Sequence, residues 1–317
     1  MAATIPHLKR SRVFAAKTES EAGTAETLTA TEGVFNCHDL TINPNIDMVK
    51  RDSQGSFSSM PAIPGTHLGS VSFSIYLHGD DSAGAHAAYE TLLPACGWIQ
   101  TGEYFLPTSL PVGTGSAKTI TIGVFQSGLL KRLAGCMGTF TIECVNGKPV
   151  EFKFTFTGVW VAPSDLAVIA PTYPTPLPLR FASATLTLVA NVPLISRITI
   201  DAGNDVQMLE DPTDASGYLN AIITGRECGG SHDPQSVLVA DDDRHADLLA
   251  MTEQALSITV GSAVAGKECT ITAPKLQYTN LQEADRNGLM IEDITFQLNR
   301  SAAAGDDELK IDFTHAA

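Results

Sequence analysis

The chain has 317 residues, 44% hydrophobic and 17% charged, which makes room for about two domains and excludes general disorder. Its 20 Lys and Arg stand against 35 Asp and Glu, a net charge of −15, whereas a chain that grips phosphates needs the opposite sign. No apolar run approaches the ~20 residues that span a bilayer, and the first 33 residues lack the apolar core of a secretory signal, so assembly in a cytoplasm is expected.

Residues 1–33 read as an N-terminal arm. Residues 40–47 read as a strand, followed over 48–68 by a polar, glycine-containing loop too long for a simple hairpin turn. Alternation of apolar and polar side chains over 71–77, 119–122, 139–142 and 151–157 predicts half-buried strands. Asn146-Gly147 between the last two predicts a hairpin turn. Residues 85–93 have helical composition, end at Pro94, and follow Asp80, Asp81 and Ser82, which suit an N-cap. The run Pro171-Thr172-Tyr173-Pro174-Thr175-Pro176-Leu177-Pro178, with Pro163 upstream, holds neither a helix nor a central strand, which sets a linker over 163–179. Residues 1–177 carry eleven basic and fourteen acidic side chains, the remainder nine and twenty-one, so most of the net charge lies in the second half.

The second half repeats the order of the first. Residues 198–205 resemble 40–47 at a spacing of 158, and His245 in 241–251 aligns with His86 at 159. Residues 256–261 answer 119–123, and 289–298 answer the strand around Phe154. Two agreeing offsets point to duplication, with units at 34–162 and 180–317, of which 34–162 and 180–313 are expected to superpose.

Chemistry-bearing motifs are weak. The six cysteines contain no C-x-x-C pair, which suits reduced, buried thiols and supplies no zinc cluster. The stretch Val112-Gly113-Thr114-Gly115-Ser116-Ala117-Lys118-Thr119 has Ala117 where a phosphate loop needs glycine, and it runs into a strand rather than a helix. In Gly229-Gly230-Ser231-His232-Asp233 the serine, histidine and aspartate are neighbours, whereas a hydrolase triad gathers them from separate elements. Asp241-Asp242-Asp243 beside His245 lacks the ligand spacing and glycine of a calcium loop and reads as helix capping. His38 and His78 show no ligand spacing either. No catalytic residue, cofactor or metal is expected.

Several local patterns recur in a telling order. They are Thr29-Ala30-Thr31-Glu32-Gly33 closing the arm, Gly69-Ser70-Val71-Ser72-Phe73, and Leu92-Leu93-Pro94-Ala95-Cys96-Gly97-Trp98 at the helix end. Gly135-Cys136-Met137-Gly138-Thr139 steps into a strand, and Phe154-Thr155-Phe156-Thr157-Gly158-Val159-Trp160 leads to the linker. In this order the chain resembles the tail tube proteins of tailed bacteriophages over nearly its whole length.

The resemblance implies a mainly β fold: two tandem antiparallel β-sandwich or barrel tube domains, each with one α-helix on the outer side. In that family neighbouring domains join strands into one barrel whose hollow interior passes the genome and holds the tape-measure protein. Six domains surround the axis, so a duplicated chain needs three copies per ring; without duplication the ring takes six. The implied function is a structural virion protein, not an enzyme, that polymerises into stacked rings. Its implied partners are itself, the tape-measure protein and tail-tip or terminator proteins, with DNA passing unbound and no membrane involved. It assembles in the bacterial cytoplasm and ends in the virion tail. The alternatives are another ring or adaptor component, such as a terminator or baseplate hub, and a β-sandwich binding module.

Two sets of residues follow. Met48, Lys50, Arg51, Ser53, Gly55, Phe57 and Ser59 in the long loop are candidates for contact with the next ring, with the N-terminal arm also bridging subunits. Glu143, Glu151, Glu292 and Asp293 are candidates for an acidic lumen lining. Glu292 and Asp293 are adjacent, so without a bulge only one of them faces the lumen. Lys153 shares the face of Glu151 and is expected to pair with it.

Overall fold

A computed structural model describes residues 8–52, 54–79, 87–110, 115–188, 193–261 and 268–313. The first half forms β1 (Arg12–Thr18), β2 (Cys37–Val49), β3 (Ile63–Tyr76), α1 (Ala87–Ala95), β4 (Trp98–Thr101), β5 (Tyr104–Pro107), β6 (Ile120–Gln126), β7 (Leu129–Val145) and β8 (Glu151–Asp165). The second forms β9 (Thr185–Leu188), β10 (Arg197–Asp201), β11 (Asn204–Glu210), β12 (Tyr218–Arg226), β13 (Gly229–His232), α2 (Arg244–Ala250), β14 (Glu253–Gly261), β15 (Glu268–Arg286), β16 (Leu289–Leu298) and β17 (Lys310–Asp312). The fold is mainly antiparallel β, as the alternation predicts.

The period-two pattern decides which face each strand buries. In β8, Phe152, Phe154 and Phe156 are buried while Lys153 and Thr155 stay exposed. Their rings stack at 5.9 Å along the strand, and Phe140 and Phe73 pack against them from β7 and β3. Asn146-Gly147 forms the expected turn, Gly147 at φ +77 and Lys148 donating its N–H to Val145. Helix α1 runs through Pro94 to Ala95, one residue past the expected stop; its proposed cap residues Asp80, Asp81 and Ser82, and His86, lie outside the described residues. Helix α2 begins after Asp243, whose carboxylate accepts the N–H of Ala246 at 2.9 Å, so one member of the acidic run is indeed an N-cap.

The pairing scheme occurs twice. In the first half the order is β2-β3-β8-β7-β6-β1; in the second it is β10-β13-β16-β15-β14-β9. Thr41, Ser72, Thr155 and Thr139 pair in one row, and Thr199, Ser231, Thr295 and Asn280 pair in the corresponding one. The two sets are joined: β10 pairs with β7, Arg197 opposite Val145 through Asp201 opposite Thr141. Strands of both halves thus lie in one 15-stranded sheet, and a single hydrophobic cluster from Phe14 to Phe313 holds residues of both. The C-terminal β17 crosses back to pair with β5, and Trp98 donates its indole N–H to the carbonyl of Leu309 at 3.2 Å.

Two segments differ in detail from their sequence description. Residues 12–18 of the arm form β1 against β6, with Phe14 buried, because four consecutive small or apolar residues suit a covered strand. Glu19 anchors its end, accepting from Thr121 at 2.8 Å and the N–H of Gly135 at 2.7 Å. The long loop is also shorter than 48–68: Met48 and Val49 pair with Pro64 and Ile63, leaving 50–62 as the tip of an extended hairpin.

Candidate functional site

The eight strands β2-β3-β8-β7-β10-β13-β16-β15 share one outward face opposite the aromatic core. A single transverse row crosses the joint: Tyr76, Glu151, Glu143, Thr199, Ser231, Thr295 and Asn280. Ser70, Ser72, Thr157, Thr139, Thr141 and Gln297 occupy neighbouring positions on that face. Short hydroxyl and amide groups recur on it, and the charged side chains among them include the carboxylates Glu143, Glu151, Asp201 and Asp293 and the cations Lys153, Arg197, Lys275 and Arg286.

The candidate acidic residues divide. Glu143 and Glu151 lie directly opposite each other, an unfavourable pairing of like charges that each relieves with its own partner. Glu143 accepts from Lys153, which raises the lysine pKa, and Glu151 pairs with His38, whose ring stacks on Tyr76 at 4.4 Å. Lys153 therefore bonds Glu143 rather than Glu151, with Glu151 contributing only a longer-range field. Asp293 is exposed on the outward face. Glu292 takes the opposite face, buried beneath α2, where Arg244 bonds it at 2.7 Å and Ser236 at 3.1 Å. Alternation of side chains along β16 separates the two neighbours.

Arg244 belongs to a buried polar group that its surface-type sequence context conceals. It also bonds Asp242 at 2.8 Å, and its carbonyl partner is Gln235. His232 lies close by, with Tyr278 and Phe296 at ring distances of 5.8 and 5.6 Å, and neither ring nitrogen has a hydrogen-bond partner among the described residues. Burial, then the nearby Arg244, lowers its pKa to about 4. Asp233 turns away to bind Ser196, the N–H of Arg197 and Arg286. The adjacent Ser231, His232 and Asp233 thus point to three different surroundings. Among the described residues no group of three or more His, Cys, Asp or Glu is placed to hold a metal ion; Val112, Gly113 and Thr114 of the glycine-containing loop lie outside them.

The β2–β3 hairpin projects as an arm with Ile46, Met48, Val49, Phe57, Met60 and Ile63 all exposed. Lys50, Arg51, Gly55 and Ser59 are exposed at its tip, Arg51 donating to the carbonyl of Pro61 at 2.9 Å; Ser53 lies outside the described residues. Its counterpart in the second half, β11–β12, has the shorter tip 211–217 and lies against the first half, Ser216 accepting from the N–H of His67 at 2.9 Å.

Both ends of the eight-strand sheet are open. Among the described residues β2 has a strand on one side only, and so does β15 beyond Tyr278. A sheet with a polar outward face, two open edges and a projecting apolar arm defines a structural β protein whose working parts are surfaces.

A family model described as phage tail tube protein matches residues 9–298. The chain belongs to that family and is a structural protein of the bacteriophage virion, located in the tail. No curated protein matches it.

Proposed function

We propose that each chain supplies two of the six units of a ring, and that three copies close a pseudo-six-fold tube segment. The observation that carries this is the β7–β10 joint. There the first strand of one unit pairs with the hairpin strand of the unit before it. The same two edges, β2 and β15, stand open at the ends of the chain's sheet. Applying the internal joint between copies sets Thr41 of one copy opposite Ala284 of the next, as Thr199 stands opposite Glu143. Closure removes the edges, which is the physical reason for a ring rather than an open ribbon. The units correspond to 34–162 and 180–317, joined across 163–179, whose first three residues still belong to β8; β1 precedes the first unit and β9 opens the second as lead-in strands.

The outward polar face then lines the lumen. Hydroxyls and amides offer a passing phosphate no fixed charge, and the cations Lys153 and Arg286 are each held by a carboxylate, so DNA is not trapped. The β2–β3 arm, with Met48, Lys50, Arg51, Phe57 and neighbours, reaches the adjacent ring along the axis. The partners in this reading are further copies, the tape-measure protein within the lumen, and terminator and tip proteins at the ends. Assembly occurs in the host cytoplasm, delivery of DNA is the outcome, and no catalysis is involved. Electron cryo-microscopy of tubes grown from purified protein tests it: three copies per ring with Thr41 beside Ala284 is expected. Six copies per ring, or a different strand at the joint, refutes it.

A further inference from the structure

The repeat also shows what covers the tip of one unit's last hairpin, and among the described residues the other unit's tip has no such cover. In the first unit Val150 and Leu77 are fully buried and bonded to each other, the N–H of Leu77 to the carbonyl of Val150 at 2.8 Å. The row Ser72–Thr155 against Ser231–Thr295 makes Ser236 and Met290 their counterparts, and the N–H of Ser236 does bond the carbonyl of Met290, at 3.1 Å. Yet Met290 is 58% exposed where Val150 is 0%, and Val237 is 46% exposed where His78 is 8%. Leu289 and Leu238 beside them are exposed too.

The cover on the first unit is the segment 177–181. Leu179 bonds Val150 at 2.9 Å and Leu77 at 2.7 Å, Phe181 exchanges bonds with Gly147 and Lys148, and both side chains are buried. This segment lies just ahead of β9, the lead-in strand of the following unit. The place just ahead of β1, the lead-in strand of the first unit, is occupied by residues 1–11.

We propose that residues 1–11 of a neighbouring copy cover the patch of Val237, Leu238, Leu289 and Met290, as 177–181 cover the first unit's tip within the chain. The sequences match in kind: Ile5-Pro6-His7-Leu8 parallels Leu177-Pro178-Leu179-Arg180 in its apolar-proline start. Leu8 is 64% exposed on its own copy. Charge agrees as well, since Lys9, Arg10 and Arg12 follow Leu8 while exposed Asp241 and Asp285 flank the patch. A cleft of about 180 Å³ lined by Val237, Leu194 and Asp241 offers room for an inserted side chain. The docking rests on the ring proposed above, because only a following unit brings a lead-in segment to this tip.

The test uses full-length protein. A photo-crosslinking residue replaces Leu8, and isotope-labelled and unlabelled copies are mixed before tube growth. Adducts are expected between differently labelled chains, at 236–239 or 288–291; adducts within one chain or elsewhere overturn the docking and leave the ring standing. Met290→Lys is expected to raise the protein concentration needed for assembly about tenfold, with the monomer's melting temperature unchanged. Unchanged assembly counts against the docking. If the protein forms no rings at all, the ring reading fails, and a synthetic peptide of residues 1–11 still decides the contact. Slowed hydrogen exchange at 236–239 and 288–291 supports it, and no change overturns it.

Discussion

Glu292 and Asp293 are neighbours in the chain with opposite surroundings. Asp293 meets solvent, while Glu292 is desolvated and depends on Arg244 for compensation. Arg244→Ala leaves that carboxylate buried without its cation and is expected to cost about 3–5 kcal/mol in urea denaturation. Replacing Arg244 and Glu292 together by apolar residues of similar volume is expected to cost less, since no lone charge remains. His232 supplies a pH dependence. Its folded pKa of about 4 lies below the unfolded value of ~6.5, so the unfolded chain takes the proton first as pH falls. Stability is therefore lost progressively from about pH 6.5 to about pH 4 and levels off below. His232→Phe is expected to flatten that part of the melting-temperature profile; a variant with an unchanged acid slope would assign it to the carboxylates instead. Gly138 is a third sensitive position, because a Cβ there meets the carbonyl oxygen of Thr155 at 2.2 Å. Gly138→Ala is expected to destabilise by about 1–3 kcal/mol through forced strand separation.

At the scale of elements, the β2–β3 arm and β11–β12 show one position in the repeat put to two uses. The short hairpin lies against its own chain through Ser216 and His67, whereas the long one leaves its apolar side chains in solvent. Deleting 53–59 removes Phe57 and the tip without touching the paired part of the arm. Folded monomers or rings that fail to lengthen are expected in light scattering and negative-stain images. Tubes growing at the normal rate would take the stacking role away from the arm. The N-terminal arm gives the opposite lesson. Its middle is a core strand held through Glu19 and Phe14, which ties that part of the arm to its own chain.

For the whole molecule the joint between halves matters more than either half. The strands β7 and β10 convert two four-strand sets into one surface, and the proposed ring extends that operation to other copies. The −15 charge then has a located part in the outward carboxylates. Changing Glu143, Glu151 and Asp293 to Lys is expected to permit tube formation yet slow DNA delivery. The slowing grows at low salt, where screening between the new cations and phosphate is weakest. Delivery at the normal rate across ionic strengths would return the charge to a solubility role.

Local pattern in the sequence determined the strand faces, the Asn146-Gly147 turn, the Asp243 cap, the repeated order of elements and the family resemblance. Each depends on side-chain periodicity or on a few adjacent residues, which a chain carries wherever it folds. The tertiary structure decided what depends on distant neighbours. The pairing of β7 with β10, the return of β17 to β5, and the burial of Glu292 under Arg244 join residues far apart in the chain. Nothing in the alternation around Glu292 reveals the buried cation that admits a carboxylate to the core side of β16. The open tip at Met290 is of the same kind, since exposure there is defined only by what covers Val150 in the other unit.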